Sequence, residues 1–129
     1  SSDLILAVLD WELSTLGHPL ADFSYHCMAW HITPGTFRGI GGLDLAGLGI
    51  PSEQEYIRRY CERTGFTTPE ALAKDWNFYL AYNMFRIAAI LQGIAKRVED
   101  GTASSDQAKA SGAGARPMAE LAWQFACRF

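Results

Sequence analysis

Between Thr68 and Gly101 the sequence carries one uninterrupted helical signal, and that signal dictates what the rest of the chain must supply. Thr68 is a residue type that caps a helix start by accepting a backbone N–H, and Pro69 suits the first helical position, where no N–H is needed. Leu72, Trp76, Tyr79, Leu80, Met84, Ile87, Leu91, Ile94 and Val98 follow the helical period, and Phe78, Tyr82, Phe85 and Ala89 add a second apolar face. A helix apolar nearly all round belongs at the centre of a fold, with neighbours on several sides. This one is predicted to run to about Asp100, with Gly101 as its cap.

The neighbours are legible around it. Leu4 to Leu9 is a continuous apolar run of strand length bounded by Asp10, the pattern of a strand buried on both faces. Leu16-Gly17-His18-Pro19 reads as a turn. Leu20 to Ile32 reads as a helix with Leu20, Phe23, Cys27 and Trp30 on one stripe. Residues 33–51 hold six glycines and are expected to form a long loop, functional or mobile, with Gly39-Ile40-Gly41-Gly42 as flexible backbone. Ser52 and Glu55 have capping-box spacing, Tyr56, Ile57, Tyr60 and Cys61 supply an apolar face, and Gly65 is placed to end that helix. Residues 102–115, rich in Ser, Gly and Ala, are expected to be a flexible loop. A last helix is expected from about Arg116 to Phe129, with Met118, Leu121, Ala122, Phe125 and Phe129 on one face.

The expected fold class is therefore mostly α: one N-terminal strand, then about four helices, in a single domain over residues 1–129. One strand is not a sheet, and an isolated strand is not stable. The pattern implies a partial domain, the helical portion of a lobe whose sheet lies upstream.

Composition narrows the function classes. With 11 basic and 14 acidic residues the net charge is -3, which leaves no electrostatic footprint for nucleic acid or an anionic membrane. Leu4–Leu9 is too short to span a bilayer, and no basic leader precedes it. Cys27, Cys61 and Cys127 are odd in number and widely spaced, which suits reduced, mostly buried thiols and a cytoplasmic setting better than a disulfide framework.

Asp10 and Glu12 carry the chemistry. In extended backbone, residues two apart project to the same side. Two carboxylates so placed at a strand end can serve a Mg²⁺ ion, which takes one or two carboxylates together with water and phosphate oxygens. The same residues also suit an ordinary turn. The longer string favours the metal: Val8-Leu9-Asp10-Trp11-Glu12-Leu13-Ser14-Thr15-Leu16-Gly17-His18-Pro19-Leu20-Ala21-Asp22 resembles the segment after the catalytic loop of aminoglycoside phosphotransferase-like kinases. The resemblance is closest to the kinase-like domains associated with acyl-CoA dehydrogenases, and continues in Gly49-Ile50-Pro51, Trp76-Asn77-Phe78-Tyr79, Ala88-Ala89-Ile90-Leu91-Gln92-Gly93 and Ala122-Trp123. It implies the C-terminal portion of the C-lobe of a protein-kinase-like α+β fold, with ATP and Mg²⁺ as cofactors in the complete enzyme. It implies Asp10 as metal ligand, Glu12 as an acidic neighbour assisting it, and Asp22 as structural support of the active-site loops. Where that family has Gly-Asp-Pro, this chain has Gly17-His18-Pro19, so the resemblance assigns position 18 no role.

The family's His-Gly-Asp catalytic loop occurs nowhere in the sequence, and neither does a GxxxxGK phosphate loop. The resemblance therefore implies a phosphotransferase acting on a hydroxyl group, plausible acceptors including a hydroxyacyl-CoA, with this chain inactive by itself. The competing reading is a non-enzymatic helical module that self-associates or pairs with an N-terminal part. Arg86, charged within an apolar helical stretch, is expected to pair with Asp22 or Glu12 or to recognise an anionic substrate group. Trp76, Tyr79 and Tyr82 are candidates for an acceptor pocket. Lys96 and Arg97 suit the negative end of the helix dipole, or phosphates of a CoA-type substrate. His26 and His31, five apart, do not share a helix face and make a poor metal pair.

Overall fold

A computed structural model describes residues 5–12 and 14–128. Leu4, Leu13 and Phe129 of the readings above lie outside the described residues. The element order is α1 (Pro19–Cys27), a 3₁₀ turn (Met28–His31), α2 (Glu53–Thr64), α3 (Pro69–Glu99), α4 (Asp106–Ala113) and α5 (Ala115–Ala126).

α3 forms as its ends dictate. Thr68 Oγ1 accepts from the Ala71 N–H at 3.2 Å, Pro69 occupies the first turn, and Gly101 follows the last turn at φ 73°. Its 31 residues make a rod of about 46 Å. α1, α4 and α5 pack along it. The main core joins Leu80, Met84, Ile87 and Leu91 of α3 to Met28, Ile32, Met118 and Phe125. A second cluster at the N-terminal end of α3 joins Leu72 to Leu20, Ile57 and Cys61, and so seats α1 and α2. α2 has the expected caps, Ser52 accepting from the Glu55 N–H and Gly65 left-handed at φ 62°. Only half of the capping box forms. The Glu55 carboxylate turns to Arg58 and Arg59, whose hydrogen bonds hold it down to about 2.

Three expectations are corrected. Ile5–Leu9 is not a strand, and its apolar side chains are exposed, because no described residue offers it a ladder. Residues 102–115 are not a loop throughout. Ser105 caps α4 by accepting from Ala108, and Gly112 sits where a Cβ would come within 2.9 Å of the Ala95 Cα, so α4 lies close against α3. α3 is not covered all round: Tyr82 and Phe85 stand 50% and 67% exposed. Residues 33–51 form a loop, as expected, which folds back on the 3₁₀ turn, with the Ile40 and Gly41 N–H groups donating to Ala29 O and Ile32 O at 2.8 and 2.9 Å. Trp30 Nε1 closes the far end of that segment on Pro51 O at 3.0 Å. No described helix is long and apolar enough to cross a membrane.

Candidate functional site

The stretch from Asp10 to Asp22 threads from the open N-terminal segment into the first turn of α1. Its geometry begins with a tight turn. The Ser14 N–H and Oγ both donate to Trp11 O, at 3.0 and 2.6 Å, and Trp11 Nε1 reaches back to Val8 O at 2.6 Å. These bonds hold Asp10 at φ 70°, the one non-glycine residue with positive φ among the described residues. A left-handed backbone costs an ordinary L-residue about 1–2 kcal/mol, and Asp is among the few types that tolerate it. Because Asp10 leaves the extended region, the same-side alternation expected for Asp10 and Glu12 does not apply. Both carboxylates are exposed, and neither has a hydrogen bond or ion pair among the described residues.

His18 caps α1 through its extended backbone, and Pro19 follows at the first helical position. The imidazole is stacked on Tyr79 at 5.7 Å, with the Tyr79 hydroxyl 3.4 Å from its Nδ1 and the Phe66 edge at 5.6 Å. An aromatic side chain thus takes the place where the resemblance leads one to expect a carboxylate, and α3 clamps it. Asp22 lies exposed in the first turn of α1, a favourable end of that helix for a negative charge. Its charge joins burial and Cys61 in pushing the Tyr60 hydroxyl up, burial being the largest cause.

α1 is fixed to α3 by a buried clasp. Asn83 is fully buried, and its Nδ2 donates to Ala21 O at 2.9 Å and to Ser24 Oγ at 2.8 Å. Its Oδ1 finds no donor among the described residues. Sequence reasoning missed Asn83, although an amide among Leu80, Met84 and Ile87 was a visible signal. It also missed Glu53, whose Oε1 accepts from Trp76 Nε1 at 3.0 Å and sits 2.8 Å from His31 Nε2.

The other candidates separate. Trp76 turns to Glu53, Tyr79 to His18, and Tyr82 to an open face of α3, so the three do not line one pocket. Arg86 pairs with neither Asp22 nor Glu12. It is exposed at the helix surface, its guanidinium 5.4 Å from the centre of the Tyr25 ring, and the cation–π contact there replaces an ion pair. Lys96 is held by Asp100 at 2.9 Å and Glu99 at 3.6 Å. A mostly apolar cleft of about 420 Å³ opens beside Tyr25, Trp30, Phe37 and Arg38, under the folded-back glycine segment. Cys27 is buried, and burial, with the Glu53 charge adding to it, pushes its thiol up to about 12, which excludes a nucleophile there.

No group of three or more His, Cys, Asp or Glu side chains converges on a metal position among the described residues. The donors at Asp10 and Glu12 nevertheless suit a hard cation of the Mg²⁺ type. They are oxygens, solvent-facing and uncommitted to other partners, and such an ion completes its shell with water and phosphate.

No family model matches the chain. It is similar to acyl-CoA dehydrogenase family member 10 of Mus musculus, 50% identical over 127 residues that cover 96% of this chain and 11% of that protein. Acyl-CoA dehydrogenase family member 11 of Homo sapiens is 38% identical over 125 residues, covering 96% of this chain and 16% of that protein. A solved structure from Ralstonia eutropha, provisionally assigned as an aminoglycoside phosphotransferase, matches with a TM-score of 0.83 at 65% identity, over 95% of this chain and 36% of that one. The chain thus spans less than a sixth of these curated relatives and about a third of the solved structure.

Proposed function

Since the chain belongs to the aminoglycoside phosphotransferase-like superfamily, we propose that the protein carrying it transfers the γ-phosphoryl group of ATP to a hydroxyl acceptor, with Asp10 holding Mg²⁺. The observation that carries this reading is the backbone at Asp10. The residue matching the family's metal ligand is the one non-glycine residue held left-handed among those described, by a turn built from Trp11 and Ser14. Strained backbone of this kind persists where the surroundings impose it, and concentrates at functional sites.

When bound, Mg²⁺ neutralises charge across the nucleotide's phosphates. The chain's own residues do the rest of what this portion contributes. Asp10 presents an uncommitted carboxylate that would hold the ion, and Glu12, two residues on and also exposed, would assist it. Asp22 carries negative charge at the start of α1, available to loops from the rest of the lobe. The stack of His18 on Tyr79 and the Asn83 clasp fix the entry of α1, which carries Asp22. The group that orients the acceptor hydroxyl is not in this sequence, which has no His-Gly-Asp, so the 129-residue chain by itself gives no turnover.

The acceptor we propose is a hydroxyacyl-CoA. The support is the acyl-CoA dehydrogenase identity of the curated relatives that carry a homologous segment. The test is to incubate the intact protein with Mg·ATP and, separately, a hydroxyacyl-CoA, an aminoglycoside and choline, reading phosphorylated product by mass spectrometry. The expected result is product with the hydroxyacyl-CoA, falling on the order of 100-fold or more in Asp10→Ala. Product with none of the three, or an undiminished Asp10→Ala, overturns the reading. A helical module that only self-associates would give that outcome.

A further inference from the structure

The cleft of about 420 Å³ lies between α1, the 3₁₀ turn and the loop over residues 33–51. Met28 and Ile32, both almost fully buried, form its floor, and Ile40 and Ile50 of the loop close on it from the other side. The loop is tied down there at both ends. Ile40 and Gly41 donate to Ala29 O and Ile32 O, and Trp30 Nε1 donates to Pro51 O. A Cβ at Gly41 would come within 2.9 Å of Trp30 O, so a glycine is needed where loop and turn meet. The cavity is therefore preformed, and its volume falls in the range that holds small ligands.

Its charge is one-sided. Arg38 lines the cleft from an exposed position, its guanidinium 5.9 Å from the centre of the Phe37 ring. That guanidinium makes no ion pair or hydrogen bond among the described residues. Arg86 lays a second guanidinium on the ring of Tyr25, another lining residue. No described Asp or Glu lines the cleft. A cation such as choline or an aminoglycoside would meet these charges with nothing to offset them. A sugar would lose the hydrogen bonds of its hydroxyls on the apolar floor. An apolar chain with one anionic head suits both features. Its body leaves water against Met28, Ile32, Ile40 and Ile50, and its carboxylate accepts two hydrogen bonds from one guanidinium.

We infer that this cleft binds a straight-chain monocarboxylate, with the chain under the loop and the head at Arg38. At about 30 Å³ for each water-sized group, a methylene included, the volume takes at most about fourteen carbons. Binding there is separate from phosphoryl transfer and needs neither ATP nor Mg²⁺.

The test is isothermal titration of the intact protein, free of nucleotide and metal, with carboxylates from butanoate to tetradecanoate, the matching primary alcohols and the matching CoA thioesters. Affinity for the carboxylates should rise about fourfold per methylene until the cleft is full, then level off. Arg38→Gln, at an exposed position, should weaken the carboxylates about three- to tenfold and leave the alcohols unchanged. Ala29→Leu, which fills part of the cleft, should move the levelling-off to a shorter chain. No saturable binding, or binding that neither variant changes, overturns the inference. Alcohols bound as tightly as carboxylates, or thioesters bound where the free acids are not, overturn it too, because the head at Arg38 would then carry no charge.

Discussion

Replacing Asn83 probes the joint that fixes α1, and with it Asp22, to α3. The side chain is fully buried and donates two hydrogen bonds across the α1–α3 interface, to Ala21 O at 2.9 Å and Ser24 Oγ at 2.8 Å. In Asn83→Ala both bonds are lost, at about 1 kcal/mol each, and the emptied volume adds about 1 kcal/mol. Two effects offset this. Ser24 Oγ still donates to Ala21 O at 3.2 Å, and removal of the orphaned Oδ1 relieves about 1 kcal/mol of uncompensated desolvation. The net is about 2 kcal/mol against the closed joint. Hydrogen exchange of peptides covering Pro19–His31 in the intact protein reads this directly, as about thirtyfold faster exchange through local opening, with α5 peptides changed less. Asn83→Leu keeps the volume without the donors and should fall between wild type and alanine. Asn83→Asp, which places a charge without donors opposite the Ala21 carbonyl, should be the worst of the three. Unchanged exchange in α1, or a tolerated Asp, would refute the clasp.

Other perturbations have equally definite outcomes. Gly112→Ala places a Cβ within 2.9 Å of the Ala95 Cα, so α4 must move off α3 at about 1–3 kcal/mol, read as a lowered Tm. Glu53→Leu strands Trp76 Nε1 and His31 together and should cost about 2–3 kcal/mol, with a changed Trp fluorescence spectrum, while Glu53→Gln should retain part of the loss. Native alkylation at pH 8 should modify exposed Cys127 and spare Cys27 and Cys61, which peptide mapping resolves. Cys27 also sets a pH dependence. Its thiol is raised from 9.0 to about 12, so between those values the folded chain keeps a proton that the unfolded chain has released, and stability falls as pH rises across that window.

What was legible in the sequence was local. The caps of α2 and α3 are self-contained signals, a Ser or Thr side chain and the N–H three residues on, with glycine beyond the last turn, and they form where expected. A strand is a two-body object: Leu4–Leu9 has the composition of one, but composition supplies no partner, and the described part of the run stands exposed. Residues 102–115 misled for the opposite reason. Ser, Gly and Ala were read as loop chemistry, yet Ala favours helix, Ser105 caps one, and Gly112 is required by the close approach of Ala95. At the candidate site, the carboxylates and the turn glycine were visible in the motif. The left-handed Asp10, the stacking of His18 on Tyr79 and the choice by Arg86 of Tyr25 over a carboxylate depend on residues brought together only by folding.

The account's central claim, that Asp10 holds the nucleotide's metal, is tested most directly by titrating the intact protein with Mn²⁺ in the presence of ATP and reading free Mn²⁺ by electron paramagnetic resonance. One Mn²⁺·ATP site in the wild type, weakened at least about tenfold in Asp10→Ala while Arg86→Ala leaves it unchanged, is the result predicted. Binding of equal strength in Asp10→Ala would contradict it.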